Sequence, residues 1–144
     1  MKNILTITLI SVVLLGCTST GMSLKQKNNA YAKYVLDESL LSKDKVTGFK
    51  FSGWKYLSDD YLIITAVYKK DYLIETKGRC FNLNDAYGIK LNRFSNMSIY
   101  KIGDSISSVG VSAASEITGK CFIKSIYPIT PDQTEYLVNI GKPV

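Results

Sequence analysis

A run of apolar residues from Ile4 to Leu15 opens the chain, with one positive charge ahead of it at Lys2 and the pair Gly16-Cys17 behind it. Its length constrains everything that follows. The run is about a dozen residues, interrupted by Thr6, Thr8 and Ser11, whereas a helix crossing the hydrocarbon needs roughly 20 mostly apolar ones. A basic start, a short apolar stretch and a small residue before the cut have the layout of a signal peptide. The expectation is that residues 1–16 are removed, leaving 128 of the 144 residues, which suits a single domain. The competing reading is an uncleaved, buried helix with an incidental cysteine.

Leu14-Leu15-Gly16-Cys17 resembles the lipobox, the four-residue signal at which bacteria attach a diacylglycerol to the cysteine sulfur and cleave before it. Lipidation is therefore expected at Cys17. Each buried CH₂ contributes about 0.8 kcal/mol, and stable anchoring takes more than one chain, so the acyl chains alone should hold the protein on a membrane. Thr18, not aspartate, follows the cysteine. In Gram-negative lipoproteins that pattern goes with transport to the outer membrane, so the expected location is its inner leaflet, with the domain facing the periplasm.

Of the three cysteines, Cys80 and Cys121 remain once Cys17 is acylated. In an oxidising compartment such a pair persists as a disulfide. A redox-active or metal-binding role for the pair is the weaker alternative, because there is no CxxC and the chain has no histidine. No metal and no cofactor is expected. The formal charge of +6 falls to +5 with the loss of Lys2. That excess could favour anionic headgroups or acidic envelope polymers. The lysines at positions 50, 55, 69, 70, 77, 90, 101 and 120 are nonetheless scattered and read as solvated faces. No basic run is interleaved with aromatics, so no nucleic-acid partner is expected.

Residues 18–29 are polar and lack apolar periodicity, and read as a flexible tether; residues 30–144 read as the domain. Tyr31, Tyr34, Val35, Leu40 and Leu41 predict an amphipathic helix over residues 30–41. Strand patterns follow. Phe49 and Phe51 change phase with Trp54 and Tyr56 across Gly53, as a bulge would produce. The β-branched and aromatic run 61–68 predicts a central strand, and a turn at 69–71 leads to a returning strand over 72–76. Residues 81–86 read as a turn or loop tied down by Cys80, and residues 89–91 and 97–102 as two further strands. Residues 104–115, small and polar, read as a mobile loop. A last strand over 120–127 would carry Cys121, Ile123 and Ser125 on one face and Phe122, Lys124 and Ile126 on the other. Thr130, Pro131 and Gln133 have capping-box spacing, Asp132 suits the positive helix end, and Gly141 is the stop. The predicted face of that C-terminal helix includes Tyr136, Leu137 and Ile140. The expected fold is α+β: a small, mostly antiparallel sheet with an N-terminal and a C-terminal helix and one disulfide.

Several of these residues carry a resemblance. Phe49 and Phe51 stand ahead of Gly53-Trp54, and a turn over 57–60 precedes an apolar strand. Tyr72-Leu73 follows, then Cys80 with Leu83, and finally Cys121-Phe122-Ile123 with Ile126 and Pro128. From about Tyr31 to Pro131 this resembles a family of small proteobacterial envelope lipoproteins built on a single domain of unknown function. The resemblance implies no activity, and supports Cys80 and Cys121 as partners.

The absence of histidine removes the usual general base, metal ligand and triad member. Carboxylates alone remain, with Asp59, Asp60, Glu75, Asp85, Asp104 and Glu116 as candidates for a glycosidase-like pair. Asp59-Asp60 sits in a turn, where aspartate is favoured for backbone reasons. The expectation is therefore no enzyme. Trp54, Tyr56 and Tyr72 are candidate ligand contacts, since amphipathic aromatics line clefts as readily as they pack a sheet. The leading functional reading is a non-enzymatic, membrane-anchored binding or accessory module with an envelope protein as partner. The alternative is an inhibitor of an envelope-directed enzyme such as lysozyme, which the positive charge opposes because lysozyme is itself basic.

Overall fold

The computed structural model describes residues 21–110 and 119–142. The signal segment, Cys17, the first residues of the tether and Glu116 lie outside the described residues.

The first element is helix α1, Leu24–Asp37. Ser23 Oγ accepts from the Gln26 amide at 3.2 Å, and Gln26 Oε1 accepts from the Ser23 amide at 2.8 Å. This box satisfies two otherwise orphaned N–H groups locally, so the first turn needs no apolar face. That corrects the expectation of a tether through residue 29 and a helix from residue 30 to 41. The helix starts earlier, and it ends at the Glu38 cap ahead of Ser39, which has φ 49°.

Strand β1 (Lys45–Thr47) pairs antiparallel with β6 (Ser98–Tyr100) as a small two-stranded sheet. The main sheet is antiparallel throughout, in the order β2-β3-β4-β8-β7-β5. Its strands are β2 (Phe51–Tyr56), β3 (Tyr61–Ala66), β4 (Lys70–Thr76), β5 (Gly88–Asn92), β7 (Ser105–Val109) and β8 (Cys121–Ile129). Helix α2, Pro131–Asn139, follows at once, with Thr130 and Gln133 closing the expected box and Gly141 at φ 73° past its end. The fold is α+β, with antiparallel sheets and, among the described residues, two helices and one disulfide.

Both faces of the main sheet are buried over β3, β4 and the second half of β8. Helices α1 and α2 cover one face, where Tyr31, Tyr61, Ile63, Leu73, Tyr127 and Leu137 form a core. The other face buries Leu62, Ile64, Ile74, Ile106, Ile123 and Ile126 beneath Ile99 of β6 and the segment holding Cys80 and Leu83. Cys80 and Cys121 are bonded, with Cα atoms 5.5 Å apart, and both sit in this second core. The bridge ties the segment after β4 to the start of β8.

The expected bulge in β2 is present, with the register passing from Phe51 opposite Ala66 to Gly53 opposite Thr65. The β3–β4 turn falls at Val67–Lys69, two residues ahead of the expected position. Asp71 is held inside the sheet instead, accepting from Thr65 Oγ1 at 2.6 Å and Thr134 Oγ1 at 2.8 Å. A second bulge corrects the reading of β8: Thr76 faces Ile123 but Glu75 faces Ser125, leaving Lys124 as the extra residue. One inserted residue reverses the alternation beyond it. Ile126 therefore joins Cys121 and Ile123 in the disulfide-side core, while Ser125 moves to the face of Glu75.

The loop expected over 104–115 is also corrected in part. Residues 105–109 form β7, paired with β5 on one side and β8 on the other, and Ile106 is fully buried. Serines are weak strand formers, and here the ladders of two neighbouring strands supply the partners for the backbone. Residues 111–118 lie outside the described residues.

Candidate functional site

The two helices do not extend over the whole sheet, since no residue of β5 or β7 belongs to the helix-side core. Ile89, Leu91 and Ile106 turn toward the disulfide-side core. Strand alternation therefore sends Lys90, Asn92, Ser105, Ser107 and Phe122 to the other face, where neither α1 nor α2 covers them. A groove of about 520 Å³ lies there.

Its floor is polar. Asn92 Nδ2 donates to Ser107 Oγ at 3.0 Å and to Ser105 Oγ at 3.4 Å, and Ser105 is only 3% exposed. A hydroxyl that accepts still keeps its own hydrogen to donate, and the Asn92 amide oxygen remains an acceptor by chemistry. Two aromatic rings border the floor, Phe94 and Phe122, 80% and 48% exposed. Phe94 rests directly on Gly103, whose φ of +98° and lack of Cβ both matter: a side chain there would strike the ring. The buried carboxylate of Asp104 fixes the same region, accepting from the Phe94 amide at 3.1 Å and the Tyr100 amide at 2.8 Å.

The charges lining the groove are all positive. Lys90, Arg93 and Lys120 contribute to it, and no carboxylate lines it among the described residues. Arg93 is anchored, with Nη1 donating to the Phe49 carbonyl at 3.2 Å and the guanidinium over the Phe49 ring at 5.5 Å. Neither Lys90 nor Lys120 has an ion-pair partner among the described residues. Such a surface suits an anion that also offers hydroxyl groups and an apolar face.

The aromatics singled out from sequence lie elsewhere. Trp54 pairs with Ile64, which pairs with Tyr72, so the two rings are separated by a strand. Tyr72 is 8% exposed and packs edge-on against Phe49 with centroids 5.8 Å apart. Tyr56 is half-buried and donates its hydroxyl to Asp59 Oδ1 at 3.1 Å; burial first, then Asp59, pushes its pKa well up. All three pack in or against the disulfide-side core, and none lines the groove.

The carboxylates separate into distinct environments. Asp59 is paired with Arg79 at 2.7 Å, and Glu75 with Lys124 at 2.6 Å. Asp60 accepts from Asn28 Nδ2 at 2.6 Å, which fastens α1 to the start of β3. Asp60 and Glu75 both line a hollow of about 290 Å³, together with Asn28, Tyr61 and Lys124. Burial, and next the charge of Asp59, raises the Asp60 pKa, while Arg79 and the Asn28 hydrogen bond oppose. Within this pair Asn28 Oδ1 and Asp60 Oδ1 are buried without a hydrogen-bond partner among the described residues. Asp104 serves the backbone, as described, and Asp85 lies outside this hollow. Among the described residues no group of three or more His, Cys, Asp or Glu side chains could hold a metal ion.

A family model matches residues 1–139 of the sequence. The chain belongs to the family of unknown function DUF6491. The match runs through all three cysteines and every described strand, so the domain of this DUF6491 protein is a single family unit. No curated protein and no solved structure matches the sequence. The groove was not visible in the sequence of this DUF6491 member, because Lys90, Asn92 and Phe94, then Ser105, then Lys120 and Phe122 come from three separated segments. The available signal was local: alternation placed Phe122 and Lys124 together, away from the disulfide.

Proposed function

We propose that this DUF6491 protein is a lipid-anchored protein of the bacterial envelope that acts by binding, as an accessory to another envelope component, and not by catalysis. The lipobox resemblance at Cys17 supports the anchor, with the outer membrane and its periplasmic face as the location. The observation that carries binding is the groove on the uncovered half of the sheet, with unpaired Lys90 and Lys120, anchored Arg93 and no lining carboxylate among the described residues. Its volume of about 520 Å³ falls in the range of sites that hold small ligands or a segment of a partner, roughly 300–1,000 Å³. The carboxylate hollow is smaller, and Asp60 and Glu75 are each held by a neighbouring side chain, so it supports an enzyme less well. A cationic recognition surface also weighs against lysozyme as target, since like charges disfavour the encounter.

The test is crosslinking in intact cells with the wild-type chain and with Lys90→Glu/Lys120→Glu. The double variant should lose its specific envelope crosslinks while remaining in the membrane fraction, and Cys17→Ser should leave that fraction. Crosslinks unaffected by charge reversal would refute the groove as the recognition surface. Clear slowing of lysozyme in a turbidity assay would favour the inhibitor reading.

A further inference from the structure

We infer that the groove over β5, β7 and the start of β8 binds an acidic saccharide, a sugar ring bearing a carboxylate. This rests on the binding reading above and names its ligand class. Three features converge on it. The floor combines the Asn92 amide oxygen, which accepts, with the Ser105 hydroxyl, which can donate, the mixed pattern that sugar hydroxyls require. The rings of Phe94 and Phe122 present apolar faces on which the C–H face of a pyranose can lie, and Phe94 is pre-positioned by Gly103 and by the Asp104 hydrogen bond to its amide. Lys90 and Lys120 lack counter-charges among the described residues, so both are cations that an acidic group can pair with without breaking a described ion pair.

Other anions fit less well. A bare phosphate would use the cations and leave both exposed rings unused. An anionic bilayer surface would meet Phe94 and Phe122 but could not follow the groove down to Ser105, which is 3% exposed. A nucleic acid would demand more cations than the three available.

The experiment is an amide NMR titration of the full chain in micelles with N-acetylmuramic acid, N-acetylglucosamine and inorganic phosphate, and separately with vesicles containing phosphatidylglycerol. N-acetylmuramic acid should shift the amides of Lys90, Asn92, Ser105 and Phe122 saturably, and N-acetylglucosamine should bind at least tenfold more weakly. Lys90→Gln/Lys120→Gln should abolish that difference, whereas Phe94→Ala should weaken both sugars, with the remaining amide spectrum unchanged as the check on folding. Equal affinity for the two sugars, no saturable shift, phosphate matching the acidic sugar, or a response to vesicles alone would each overturn the inference. If no sugar binds but charge reversal still removes the envelope crosslinks, the ligand class is wrong and the binding reading stands. If neither occurs, both fall.

Discussion

Removing the disulfide is the perturbation whose size the structure determines best. Cys80 and Cys121 are 41 residues apart in sequence, so the bridge closes a loop of about 42 residues; the chain-entropy relation assigns such a loop about 4 kcal/mol. Both sulfurs belong to the core that also holds Leu83, Ile106 and Ile123, so alanine at both positions keeps the site apolar and leaves only small voids. The double variant Cys80→Ala/Cys121→Ala should therefore lose about 4 kcal/mol, a large part of the 5–15 kcal/mol typical of a domain. With a urea dependence of about 1.5 kcal/mol per molar, the unfolding midpoint should fall by about 2.5 M. The assay is equilibrium urea unfolding followed by tyrosine and tryptophan fluorescence, with a reducing agent on the wild-type chain as the parallel measurement. Reduction leaves any thioether at Cys17 intact, so it isolates the bridge. A midpoint falling by less than about 0.5 M would refute the reasoning, because the unfolded chain would then gain almost no freedom from the cut.

Asp60 should titrate above the ordinary aspartate range, because burial and Asp59 disfavour its charge. A raised carboxyl favours the protonated folded state, so its contribution is complete below the unfolded aspartate value and is lost as pH climbs through the raised one. Carboxyl carbon NMR of Asp60 checks this, and a midpoint at or below the ordinary value would contradict it. Asp60→Asn should flatten the dependence of stability on pH in that window. Leu137, fully buried between α2 and the sheet, should cost about 3 kcal/mol when replaced by alanine and lower the melting temperature by on the order of 10 °C. A fall below about 3 °C in calorimetry would mean that α2 contributes little to the core.

Much of the fold was written locally. Thr130, Pro131, Gln133 and Gly141 placed α2 within a residue or so, because caps and stops act over four or five positions and need no distant partner. The bulge at Gly53 was legible from a phase change within one strand, and the bonded pair from the cysteine count together with the expected oxidising compartment. Ser23 and Gln26 carried the same kind of signal at the start of α1, obscured by the polar residues around them.

What the sequence could not determine alone depended on neighbours far along the chain. Strand β7 exists because β5 and β8 flank it, and no property of five residues rich in serine announces that. The bulge at Lys124 appears only when β8 is set against β4, and it decides which core receives Ile126. The groove has the same origin. Its cations, rings and hydroxyls lie on three segments, and they form one surface only because the helices stop short of β5 and β7. Local capping and periodicity act over one or two turns, whereas a sheet brings together residues separated by tens of positions, so the elements could be read from sequence while the site had to await their assembly.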